Sequence, residues 1–302
     1  MSAKLPVERA ITDGYHFAFT RFLSILGTIW LPYLVFALIA IGLAWLMVPD
    51  LPRIFFTHDV DIADLMGLGR LAALIAILGF IVGAMVTVGL QRKALGRHPR
   101  PVFVFFSLGA AVWRMAAALF LATLVVFFIA LLTAGVCTAI WFAARGLEGA
   151  MWLVRVLDVL AGAAFVIYIA LRLLFFLPAV VVAEERIGIE RAWVLGGHNF
   201  WRILIVAIAV IVPVAVAFHF LSWAIFGAFA PMPGMGVRMT MREIVHTVLL
   251  QFGPFVILFQ LLERIVLLGV TNGAVASAYL SVAGRPELAV PAAPVPPGVA
   301  AA

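Results

Sequence analysis

Six long apolar stretches, at about 23–48, 71–90, 115–143, 157–183, 203–230 and 247–283, run through this 302-residue chain. Each is long enough to cross a hydrocarbon core about 30 Å thick, which takes roughly 20 helical residues. Water cannot be the main solvent of such a chain. Hydrophobic residues make up 66% and charged residues 11%, against about 45–50% and about 25% in soluble domains, so there is too little polar surface to clothe a soluble core. The runs are continuous rather than alternating at period two, which excludes a membrane barrel. The expected fold class is an all-α integral membrane protein, with residues 1–284 as one six-helix transmembrane domain and 285–302 as a disordered Pro/Ala-rich tail.

The last run is about 37 residues long, so it must tilt, break or project beyond the bilayer. Gly253-Pro254 and the GVTNG stretch from Gly269 to Gly273 both invite a break. The first run is too long for the apolar core of a signal peptide, and no small-residue cleavage site follows it promptly, so it is expected to stay in the protein. Cys137 is the only cysteine, which rules out an intrachain disulfide. Its place inside the third run makes it buried filler.

If the spans alternate, twelve of the twenty Lys and Arg fall on the side of the N-terminus, the second and fourth loops and the tail; six fall on the other side, and Arg172 and Arg264 lie within spans. The positive-inside rule then places both termini in the cytoplasm. The formal charge of +6 is spread beside spans and not gathered into a soluble domain, so no nucleic-acid partner is expected. Arg92, Lys93, Arg97 and Arg100 form a dense cluster suited to anionic lipid headgroups. The opposite loop carries Asp50, His58, Asp59, Asp61 and Asp64 at a spacing that matches no calcium loop. It reads as solvated loop, with no metal and no cofactor expected.

A repeat precedes three of the spans. GAAVWRMAAAL (109–119) and GHNFWRILIVA (197–207) share Gly-x-x-x-Trp-Arg before an apolar run, and GYHFAFTRFLSIL (14–26) approaches the first span more loosely. Arg21, Arg114 and Arg202 are separated by 93 and 88 residues, and Pro32 and Pro213 each follow their arginine by eleven. This pattern predicts three related hairpins, with Arg21, Trp113, Arg114, Trp201 and Arg202 at headgroup level. The segments 5–20, 101–113 and 186–201 are expected to be amphipathic helices lying in the interface.

Residues 172–202, RLLFFLPAVVVAEERIGIERAWVLGGHNFWR, combine Arg172 and Pro178 within a span, the acid pair Glu184 and Glu185 at its end, and a stretch closing with Asn199, Trp201 and Arg202. This pattern resembles a bacterial six-span family related to the membrane domain of glycerophosphoryl diester phosphodiesterases, which also occurs as stand-alone proteins. The resemblance implies a six-span fold in the bacterial inner membrane, along about 280 residues. It implies no hydrolase activity, because in that family the catalytic domain is separate and soluble and its histidine and carboxylate constellation is absent from this chain.

Nothing else in the sequence points to catalysis. There is no metalloprotease, nucleophile-elbow, phosphate-loop or dinucleotide motif, and the six histidines have no metal-ligand spacing. Gly79-x-x-x-Gly83, with Ala72, Ala76 and Gly89, makes a smooth stripe on the second span suited to close helix packing, and Ala161 to Ala164 on the fourth is a candidate partner surface. Ionisable groups within spans are costly when unpaired, about 2.5–3.5 kcal/mol each on insertion scales, so Arg172, Glu263, Arg264, Gln260 and His219 form a candidate polar cluster. Adjacent helical residues diverge by roughly 100°, so Glu263 is expected to pair with Arg172 rather than with Arg264. The alternative is a sixth span shifted to about 247–268, with Arg264 at the headgroups. The expected function is a non-enzymatic inner-membrane protein that organises or senses lipid or a membrane partner; a small transporter or channel built on the polar cluster is the alternative.

Overall fold

The computed structural model describes residues 4–48, 62–97, 105–143, 151–226 and 241–283. Among them the regular elements are all helical: α1 (Val7–Thr20), α2 (Phe22–Met47), α3 (Ile62–Ala94), α4 (Ala110–Ala143), α5 (Met151–Leu174), α6 (Leu177–Glu184), α7 (Ile189–Gly197), α8 (Phe200–Phe226) and α9 (Met241–Val282). Six spans are long and apolar enough to cross a membrane: α2, α3, α4, α5 with α6, α8 and α9. The protein is an all-α, multi-pass membrane protein. Large side chains such as Trp45, Leu46, Leu132 and Phe220 point outward and are more than 60% exposed, which lipid tolerates and water would not.

The sixth span is the axis of the bundle: 61% of its most apolar window is buried, against 11% for the first span. Expected breaks at Gly253-Pro254 and Gly269 to Gly273 do not occur, because α9 runs unbroken from Met241 to Val282. In a medium without water the helix keeps its internal bonds, and the glycines serve packing instead. A Cβ at Gly273 would lie 2.9 Å from Phe17 Cβ, and one at Gly269 3.1 Å from Ala18 Cβ. The break falls in the fourth span, at Phe175-Phe176. Pro178 lacks an N–H and crowds the carbonyl four residues back, and that residue, Leu174, is where α5 ends.

Helix α1 buries Ala10, Gly14 and Ala18, and this smooth stripe lies on α9, with Gly14 against Val270 and Ala274. The hydroxyl of Tyr15 donates to Ala209 O of α8 at 3.0 Å. Thus the smooth stripe of the amphipathic helix α1 is covered by protein, while its other face stays open. In the second expected entry segment residues 105–109 are non-helical, and 101–104 lie outside the described residues. Of the stripe on α3, Gly79 faces Phe36 of α2 and Gly89 meets Thr28 of α2 and Phe105, whereas Gly83 has nothing within 4 Å; none of the three meets the fourth span. Gly162 instead lies against Thr133 and Cys137 of α4.

Side-chain contacts gather one end of every span onto a single face. The N–H of Leu5 donates to Asn199 Oδ1 at 3.0 Å, Ser277 donates to Asp13, and Arg97 donates to the carbonyls of Val182 and Ala183. This is termed the N-terminal face below. The Pro/Ala tail and the acidic loop 50–61 lie outside the described residues.

Candidate functional site

The broken fourth span places Arg172 in the last turn of α5, where α7 covers it. Its Nε donates to Trp193 O at 3.2 Å and an Nη to Tyr168 Oη at 2.8 Å, and its guanidinium carbon sits 3.8 Å from the centre of the Trp193 ring. Gly196 and Gly197 permit this approach, since a Cβ at either would come within 2.5 Å of Arg172. Arg172 is therefore held by two aromatic faces, one carbonyl and one hydroxyl. It makes no ion pair with Glu263, contrary to expectation, because α7 folds over it before any carboxylate from α9 can reach it.

Glu263, Gln260 and His219 do come together, on the wall of a cavity of about 540 Å³ between α8 and α9. Arg264 points away and is exposed. The expected five-residue cluster is thus split, with Arg172 in one place and three of its members in another. Glu263 sits within the unbroken α9, Met241–Val282, and lines the cavity between α8 and α9.

At the N-terminal face the acid pair organises a cluster of arginines. Glu185 ends α6 in the left-handed conformation, φ 55°. Arg97 caps the freed carbonyls of Val182 and Ala183 at 2.9 and 2.7 Å, and Arg114 donates to Glu185 O. The carboxylate of Glu185 is 3.8 Å from Arg97 and 4.0 Å from Arg114. Glu184 binds Arg186 and Arg191 and accepts from Tyr279 Oη. Arg202 donates to Leu5 O at 2.9 Å; Arg21 is the hinge between α1 and α2, and Trp113 and Trp201 are exposed.

Three polar groups here were not legible as site residues. Lys93, read above with the headgroup cluster, is only 4% exposed. Its ammonium donates to Ser24 O, Ser24 Oγ and Thr28 Oγ1 at 2.6–2.9 Å, so it is not available to lipid phosphate. Gln91 and Asn272 are buried and joined by a 3.0 Å bond between their amides. They lie on a second cavity of about 320 Å³ beside the break in the fourth span. The only signal in sequence was polarity near the end of an apolar run, which interfacial residues share.

Among the described residues no group of three His, Cys, Asp or Glu could hold a metal ion. No family model, curated protein or solved structure matches the chain. Its identification therefore rests on its own geometry: a multi-pass, all-α membrane protein with a basic N-terminal face and two largely apolar cavities among its spans, each lined in part by polar residues.

Proposed function

We propose that this is a non-enzymatic protein of the bacterial inner membrane, both termini cytoplasmic, which organises or senses anionic lipid through its N-terminal face. The observation that carries the reading is the cluster around α6, where four guanidiniums, of Arg97, Arg114, Arg186 and Arg191, meet two carboxylates, of Glu184 and Glu185. The cluster is net positive. Each guanidinium has five N–H donors, and the Arg97 and Arg186 side chains remain 41% and 63% exposed, which leaves donors for phosphate oxygens. Headgroups meet a cation array already ordered by carbonyls at Arg97 and Arg114 and by the Glu184 carboxylate at Arg186 and Arg191, so little side-chain entropy is lost on contact.

Native mass spectrometry of protein released from bilayers of mixed phosphatidylglycerol and phosphatidylcholine tests this. Retained lipid should be enriched in phosphatidylglycerol, and Arg186→Gln with Arg191→Gln should reduce the enrichment. Retention that mirrors the bilayer composition would refute the reading. The resemblance to the phosphodiesterase-associated membrane family supports the six-span plan and carries no activity with it.

The shared cavity of His219, Gln260 and Glu263 favours a second reading, a small transporter. Proteoliposomes loaded with a pH-sensitive dye would then show a proton or cation flux that Glu263→Gln abolishes. Equal fluxes from wild type, variant and empty vesicles would dismiss it.

A further inference from the structure

The amide of Gln91 is fully buried, at 0% exposure, and its orientation is dictated by its neighbours. Asn272 Nδ2 donates to Leu268 O at 2.8 Å, which leaves Asn272 Oδ1 as an acceptor, and Gln91 Nε2 fills it at 3.0 Å. Turning the Gln91 amide over would set one carbonyl oxygen against another. Its Oε1 is therefore the free end, and it has no hydrogen-bond partner among the described residues. A buried acceptor without a donor is costly, and Gln91 is among the residues that line the 320 Å³ cavity.

The rest of that wall has a consistent chemistry. Thr87 donates its hydroxyl hydrogen to Gly83 O and Thr271 donates to Leu267 O, so neither lining hydroxyl has a hydrogen left to give and each oxygen keeps acceptor capacity. Pro178 has no N–H to bond the Leu174 carbonyl, so that carbonyl loses its usual helical partner at the break. The remaining surface is hydrocarbon, from residues such as Phe175 and Val210, and Ile211 on its outer side is 44% exposed toward lipid.

We infer that this cavity binds the hydroxyl end of a neutral lipid alcohol, with the hydroxyl donating to Gln91 Oε1 and the chain lying on the apolar wall past Ile211. Acceptors that face an apolar cavity select a donor. A quinone or ester carbonyl has none to give, and a carboxylate or phosphate would be repelled, since the nearby Lys93 ammonium is spent on Ser24 and Thr28. An ammonium head could donate, but its charge would have no counter-ion there. The cavity, about 320 Å³, has space for the hydroxyl and the first stretch of a chain whose remainder extends into the bilayer. The inference stands independently of the anionic-headgroup reading, which concerns a different face and charged lipid.

The test is photo-labelling of the full-length protein in phosphatidylcholine nanodiscs with a diazirine-bearing analogue of 1-decanol, the labelled peptides mapped by mass spectrometry. Labels should fall on α3 around Gln91 and on α9 around Asn272. Unlabelled 1-decanol should compete at about tenfold lower concentration than 1-methoxydecane, which matches the loss of one hydrogen bond, and decanoate should compete worse than either. Gln91→Met with Asn272→Leu removes both amides together and should erase the preference for alcohol over ether. Ala207→Trp fills the cavity from α8 without touching the amides and should abolish labelling, so the test does not depend on the double variant folding. Equal competition by alcohol and ether in the wild type, labelling that persists in Ala207→Trp, or labels spread evenly over the lipid-facing surface would each overturn the inference.

Discussion

The crossing of α1 on α9 yields a test whose sign depends on tertiary contact. Alanine in place of glycine inside a helix favours the helix by about 0.8–1 kcal/mol, so on an open face Gly14→Ala would be stabilising. Gly14 is not on an open face. A Cβ there would lie 2.8 Å from Val270 O, 3.0 Å from Ala274 Cβ and 3.1 Å from Ala274 N. Two of these are backbone atoms with no rotamer to yield, so α1 must lift from α9, and forced overpacking typically costs about 1–3 kcal/mol. At mid-range the balance is a loss of roughly 1 kcal/mol, which raises the undocked population about 5-fold. Trypsin cleavage after Arg9, whose side chain is 75% exposed, reports that population in detergent when reclosing is fast relative to cleavage. Gly14→Ala should be cut faster in proportion, while Gly42→Ala on α2, with nothing within 4 Å of its Cβ, should be cut no faster than wild type. A Gly14→Ala protein as resistant as wild type, or more so, would refute the close crossing.

Other consequences follow from the polar contacts. Because Arg172 is held by Trp193 and Tyr168, the stability losses of Arg172→Ala and Glu263→Ala should add within about 0.5 kcal/mol in thermal unfolding; a coupling well above that would restore a direct pair. Thr28→Val removes one of three bonds to a buried ammonium and should cost about 1.5–3 kcal/mol. Lys93→Met, which removes the charge along with its needs, should cost less, and the reverse order in a melting series would contradict the assignment. Burial raises the Tyr15 phenol above its usual 10.0, so the folded state holds that proton more tightly than the unfolded chain. Its contribution to α1 docking is full below pH 10 and lost as pH climbs through the raised value; Tyr15→Phe should flatten the alkaline rise in cleavage at Arg9, and an unchanged rise would exclude Tyr15 as its source.

Orientation is open to a separate measurement. Reporter fusions at Arg100, Ala192 and Val295 should read cytoplasmic, and those at Val60, Glu148 and Gly236 periplasmic; an active periplasmic reporter at Arg100 or Ala192 would invert the proposed topology.

The six spans were legible in the residues because hydropathy is a local quantity: twenty apolar residues in a row demand lipid whatever lies beside them. The observed spans begin and end within a few residues of the expected ones, except where polar residues extend a helix, as at the ends of α3. Pro178 could be named but not weighed, since Gly253-Pro254 and the glycines of α9 carried the same local signal for a break and formed none. The difference lies in the neighbours. Helix α1 packs on Gly269 and Gly273 of the unbroken α9, whereas α7 packs on Arg172 at the end of α5, beside the broken fourth span. Polar residues were likewise visible while their partners were not. Glu263 and Arg172 have complementary charge, yet Arg172 turned to Trp193; Lys93 looked like a headgroup contact, yet it is buried beneath α2. In lipid there is no hydrophobic force between helices to impose a readable period on the packed face. Which side chains meet is decided by the close fit of smooth surfaces far apart in the chain, and that fit exists only in the assembled bundle.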